Sequence, residues 1–138
     1  VQPMTTIDKV ALMEQAKEVL KNAYCPYSKF PVGAAVLYKD GRVITGANIE
    51  NVSFGVTNCA ERSAIFYGAS QGYRKGDILA IAVAGETEGF IPPCNICRQV
   101  MVEFCGPDTP VFLLNGKGEI LELRLEELVP YSFVSLEM

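Results

Sequence analysis

Three cysteines and one glutamate sit in two short stretches, Asn58-Cys59-Ala60-Glu61-Arg62 and Pro92-Pro93-Cys94-Asn95-Ile96-Cys97-Arg98-Gln99. Cys94 and Cys97 form Cys-x-x-Cys at the predicted start of a helix, where unpaired backbone N–H groups and the helix dipole favour thiolates. That spacing suits two ligands on one metal; alone, it suits a redox dithiol as well. Cys59 stands at a second predicted helix start, so two helices could aim three thiolates at one point. Three protein ligands leave a tetrahedral zinc with one open position, the arrangement of a catalytic site. A fourth thiolate from Cys25 or Cys105 would close it, but neither stands at a comparable helix start, and both read as structural.

Glu61 follows Cys59 by two residues. By itself a glutamate there is a solvated carboxylate favoured by the helix dipole. Beside a thiolate ligand, in a chain with no histidine, it reads as a general acid/base. Three thiolates and Zn²⁺ sum to about −1, which weakens the pull of the metal on a bound water. Arg62 and Arg98 each follow a ligand-bearing position. A guanidinium donating to sulfur would withdraw electron density and restore that pull; the plainer reading is two helix-surface arginines.

Scaffold elements must bring these stretches together. Residues 5–23 read as a packing helix, with Val10, Met13, Ala16 and Leu20 at helical spacing and Thr5 with Asp8 as a capping pair. The Tyr24-Cys25-Pro26-Tyr27-Ser28-Lys29-Phe30-Pro31 segment is a loop held extended by its prolines. Strands follow at 32–38 and 43–49, joined by the Asp40-Gly41 hairpin signal. Asn58 is placed to cap a helix over 59–71, with Gly72 as its stop. The continuous apolar run 78–84 fits a strand buried on both faces. A helix over 94–104 ends at Gly106-Pro107. Strands at 111–114 and 119–125 are joined too tightly for a crossover, so they must be antiparallel, and 125–129 forms a helical turn. The order α-β-β-α-β-α-β-β implies one α/β domain over 1–138, a three-layer α/β/α sandwich with a mixed five-stranded sheet.

Bulk properties narrow the function classes. A chain of 138 residues suits one domain with a real core. No apolar run approaches the roughly 20 residues of a membrane span. The net charge of −4 argues against nucleic acid as principal partner, because such binders usually present a basic face. Five cysteines, an odd set without a secretory leader, point to a reducing, cytoplasmic setting.

The motifs together resemble the small homotetrameric zinc-dependent cytidine deaminases of the cytidine/deoxycytidylate deaminase superfamily. The matching stretches, in order, are Tyr27-Ser28-Lys29-Phe30 with Val32-Gly33-Ala34-Ala35, Asn48-Ile49-Glu50-Asn51, Cys59-Ala60-Glu61-Arg62, Pro93-Cys94 to Cys97-Arg98-Gln99, and Glu127-Leu128-Val129-Pro130 ending at Phe133. The resemblance implies that Cys59, Cys94 and Cys97 hold one zinc per subunit and that Glu61 shuttles protons. It implies that Phe30 packs on the pyrimidine, that Asn48 and Glu50 hold ribose hydroxyls, and that Ala60 lines the substrate. Phe133 would close over the base of a neighbouring subunit in a homotetramer with shared active sites. Taken singly, Phe30 reads as core, Asn48 and Glu50 as strand-end capping groups, and Phe133 as a tail anchor.

The activity implied is hydrolytic deamination of cytidine and deoxycytidine in pyrimidine salvage. Two positions depart from the family pattern. Asn95 stands where the family usually has glycine, and Phe54 lies where it often has a tyrosine near the sugar. Competing readings are a deaminase for a modified cytosine nucleoside such as blasticidin S, a non-catalytic zinc or RNA-editing module, and a thiol redox protein that leaves Glu61 without a role.

Overall fold

The computed structural model describes residues 8–27, 29, 31–51, 58–85, 95–115 and 117–129. Helix α1 (Lys9–Val19) starts later than the sequence pattern suggests. Its N-cap is Asp8, whose carboxylate accepts the Ala11 N–H at 3.0 Å, so the aspartate read as partner to a Thr5 cap is itself the cap. One 3₁₀ turn (Leu20–Asn22) extends the helix. The remaining elements are β1 (Val32–Tyr38), β2 (Val43–Ala47), α2 (Ala60–Ser70), β3 (Ile78–Gly85), α3 (Asn95–Phe104), β4 (Pro110–Leu114), β5 (Ile120–Arg124) and the single turn α4 (Leu125–Leu128).

Among the described residues, five strands form one mixed sheet in the order β2-β1-β3-β4-β5. Strand β3 pairs with β4 in parallel, while β1–β2, β1–β3 and the final β4–β5 pair are antiparallel. Gly41 (φ +90°) supplies the left-handed turn between β1 and β2. The returning strand β2 ends at Ala47, two residues short of its expected end, because Asn48, Ile49 and Glu50 turn to bond with the loops on either side.

Strand β3 shows why the sheet is covered on both sides. Ala80, Ala82 and Ala84 face a layer containing Leu12, Met13 and Ala16 of α1. Ile81 and Val83 face the opposite layer, with Ala64 and Ile65 of α2 and Met101 and Val102 of α3. Period-two alternation of small and large residues thus assigns α1 to one face and α2 and α3 to the other, the expected three-layer sandwich.

Register determines where the site can form. Val32 pairs with Gly85, and Gly33 pairs with Ala47. The start of β1 and the ends of β2 and β3 therefore share one end of the sheet. The loop before β1, the segment leaving β2 and the segment leaving β3 all emerge there. In α/β sheets the carboxyl ends of parallel strands are where ligands bind.

Candidate active site

Strand β2 delivers the chain to the first site stretch. Ile49 and Asn58 exchange backbone hydrogen bonds, each 2.9 Å, so the segment just before Cys59 is clamped to the one just after β2. Asn58 does not cap α2 as expected. Cys59 occupies the N-cap position, with no side-chain cap hydrogen bond. The Asn58 Nδ2 instead donates to Ser63 Oγ at 3.0 Å, and that hydroxyl donates to the Ala47 carbonyl at 3.3 Å. Ser63 therefore ties the first turn of α2 to the end of β2. The sequence carried no signal for Ser63 in this role.

Gly46 allows the contact. A Cβ at this position would fall 2.6 Å from the Ala64 nitrogen and 2.8 Å from the Ala60 carbonyl oxygen. These are backbone atoms of the turn that carries Glu61, so the absence of a side chain on β2 is what lets α2 lie against it.

Glu61 is buried, 4 % exposed. Removal from water pushes its carboxyl up to about 7, with its own backbone amide working the other way. The nearby Cys59 sulfur raises it further and Arg62 lowers it. A carboxyl poised there can both accept and release a proton near neutral pH, which a solvated helix-start glutamate cannot do.

Arg62 joins the two sulfur-bearing helices. Its Nη2 donates to Cys59 Sγ at 3.2 Å. Burial opposes its charge, but hydrogen bonds to both Cys59 and Cys97 outweigh that and raise its pKa. Cys97, in the first turn of α3, is fully buried. Thus the N-terminal turns of α2 and α3 meet at one guanidinium. Arg98 is placed differently, with Nη1 donating to the Leu128 carbonyl of α4 at 3.0 Å.

Two soft sulfur donors at positively polarised helix starts, gathered around a guanidinium, fit a thiolate metal site. Cys94 lies outside the described residues, as do Phe30, Phe54 and Phe133. Asn95 opens α3.

The remaining expected site residues lie at the same end of the sheet. Asn48 and Glu50 are buried, 9 % and 6 % exposed, and Ala60 is fully buried. Asn48 Oδ1 accepts the Val32 N–H at 2.9 Å, and Glu50 Oε1 accepts the Tyr27 N–H at 3.1 Å. The two polar groups read from the sequence as strand-end residues are therefore turned toward the loop before β1, and the sequence carried no signal for Tyr27 as the partner of Glu50 or for Val32 as that of Asn48.

A family model described as the cytidine and deoxycytidylate deaminase zinc-binding region matches residues 6–113. The chain is 51% identical over 132 residues to a cytidine deaminase of Halalkalibacterium halodurans, covering 96% of this chain and 98% of that protein. It is 47% identical over 127 residues to a cytidine deaminase of Sporosarcina psychrophila, covering 92% of each. It is also similar to the crystal structure of cytidine deaminase from Burkholderia pseudomallei. There the TM-score is 0.89 and the identity 47%, over 92% of this chain and 100% of that one.

Proposed function

The chain belongs to the cytidine and deoxycytidylate deaminase family, and from that premise we propose that it hydrolyses cytidine and deoxycytidine to uridine and deoxyuridine with release of ammonia. The observation that carries this reading is the buried Glu61 carboxyl, next in the chain to Arg62, whose guanidinium gathers two cysteine sulfurs.

Cys59, Cys97 and Cys94 would hold one zinc. The metal's contribution is to make a water acidic at neutral pH. Glu61 collects the proton that water gives up and delivers it to N3 of the cytosine. It then hands a proton to the C4 amine as that group leaves, so cytidine and water become uridine and ammonia. Arg62 offsets the negative charge of the sulfurs. Asn48 and Glu50, both buried, offer polar groups to the ribose hydroxyls. A free base brings no hydroxyls to these groups and forgoes those hydrogen bonds, which favours nucleosides. A free nucleoside also needs no extraction from a duplex, in keeping with a net charge of −4.

Association into a tetramer belongs to the same reading. Tyr24, Tyr27, Phe66 and Tyr67 are about half exposed on the single chain, and such aromatic surface is what an interface would cover. Phe30 and Phe133 would pack on the base, the latter from a neighbouring copy.

The test is deamination of cytidine, deoxycytidine, cytosine and blasticidin S, each with and without a chelator, followed by metal analysis. Chelator-sensitive turnover of both nucleosides with zinc near one per chain is expected. Turnover of blasticidin S alone, or no turnover of either nucleoside, would overturn the reading.

A further inference from the structure

The described residues of the loop from Tyr24 to Pro31 are tied down by hydrogen bonds more than by packing. Tyr24, Pro26, Tyr27 and Lys29 are all exposed on the single chain, so within one subunit burial contributes little to fixing their path. The ties run to the Asn48–Glu50 segment. Tyr24 N–H donates to the Asn48 carbonyl at 2.9 Å, and Glu50 N–H donates to the Tyr24 carbonyl at 2.8 Å. Where the loop enters β1, Val32 N–H donates to Asn48 Oδ1 at 2.9 Å while Asn48 N–H donates to the Val32 carbonyl at 3.2 Å. At the bend, Tyr27 N–H donates to Glu50 Oε1 at 3.1 Å. Lys29 is held at φ 57°, a left-handed conformation that a non-glycine residue keeps only when its surroundings impose it.

We propose that Glu50 and Asn48, besides meeting the sugar, are positioning residues for this loop, so that their side-chain acceptors fix the wall facing the base. The inference rests on the nucleoside-deaminase reading above. A pure sugar ligand acts only through ribose hydroxyls. A residue that also holds the Tyr27 and Val32 amides sets the loop whatever the substrate carries at the sugar. Occupancy of the sugar site and shape of the base site are then one mechanical unit, because the same two buried side chains belong to both.

The test compares cytidine with 2′,3′-dideoxycytidine, which has neither hydroxyl, in the zinc-loaded protein. Glu50→Ala is expected to lower kcat/KM for the dideoxy compound by roughly tenfold, the kinetic equivalent of one lost hydrogen bond to a charged acceptor. Glu50→Gln keeps a carbonyl acceptor for the Tyr27 N–H and is expected to recover part of that loss. Amide hydrogen exchange at Tyr27 is expected to quicken in Glu50→Ala and less so in Glu50→Gln. Should Glu50→Ala fail to fold, Glu50→Asp withdraws the acceptor by one methylene and serves in its place.

Loss on cytidine with dideoxycytidine turnover and Tyr27 exchange both unchanged would overturn the inference and leave Glu50 as a sugar ligand alone. The exchange measurement needs no turnover. Failure of the wild-type protein to deaminate cytidine would therefore overturn the functional reading while the loop arm still reports separately.

Discussion

Arg62 Nη2 lies 3.2 Å from Cys59 Sγ, and the same guanidinium also bonds to Cys97 on the neighbouring helix. One cation thus serves sulfurs that arrive on different helices. Replacing Arg62 with Gln is expected to weaken zinc affinity or turnover by about 10–100-fold, the usual cost of losing a group that supports metal ligands. Competition with a chromophoric chelator and steady-state kinetics measure the two effects. Arg62→Lys should recover little, since a single ammonium cannot reproduce the planar fork that reaches both sulfurs.

Glu61→Gln preserves size and burial but removes the carboxyl proposed to carry the proton. The variant is expected to bind zinc normally and to lose on the order of 10²–10⁴ in kcat, the range of general acid–base catalysis. Turnover within a few-fold of wild type would remove Glu61 from the proton path.

Gly46→Ala places a methyl group against the backbone of Ala60 and Ala64. Neither atom belongs to a flexible side chain, so α2 must shift. A loss of about 1–3 kcal/mol is expected, as for other overpacked cores, read from the urea midpoint. Turnover should fall as well, because the displaced turn carries Glu61.

Alkaline stability follows from two groups buried away from the site. Burial pushes the Cys105 thiol from 9.0 up to about 12 and the Tyr38 hydroxyl from 10.0 up to about 12. Between these values the unfolded chain gives up the proton while the folded chain keeps it, so ionisation draws the equilibrium toward unfolding. Stability is fully present below about pH 9 and is lost as pH rises toward 12. Denaturation midpoints at pH 8, 9.5 and 10.5 should fall in that order, and Cys105→Ala should flatten the first part of the decline.

Much of this architecture is legible in the residues because apolar periodicity reports burial directly. Val32–Tyr38 has the expected bounds, and the 78–84 run extends by one residue to Gly85. Asp40-Gly41 and Gly72 mark the turn and the helix end. What periodicity cannot report is which neighbour a polar side chain chooses. Asn58 sits where a cap belongs, yet Ser63 offers its amide a partner and Cys59 takes the cap position. Both arginines follow cysteines in the sequence. However, the hydrogen bond described for Arg98 runs to a carbonyl of α4, about 30 residues along the chain, a pairing that only the packed structure specifies. Asn48 and Glu50 were recognisable as a pair, but their grip on Val32 and Tyr27 depends on strand register.

The parallel pairing of β3 with β4 has a consequence during synthesis. Helix α3 lies between these strands in the chain, and its place over the sheet is set once Val111 to Leu113 dock beside Ile81 to Val83. Before that late strand docks, the position of Cys97 relative to Arg62 is expected to be unset. Non-local contacts of this kind form only after the loop-closure entropy has been met. If Cys59 and Cys97 hold zinc as proposed, metal capture is expected late in biogenesis, and a nascent chain stalled before β4 should emerge as an α2-bearing intermediate unable to retain the ion.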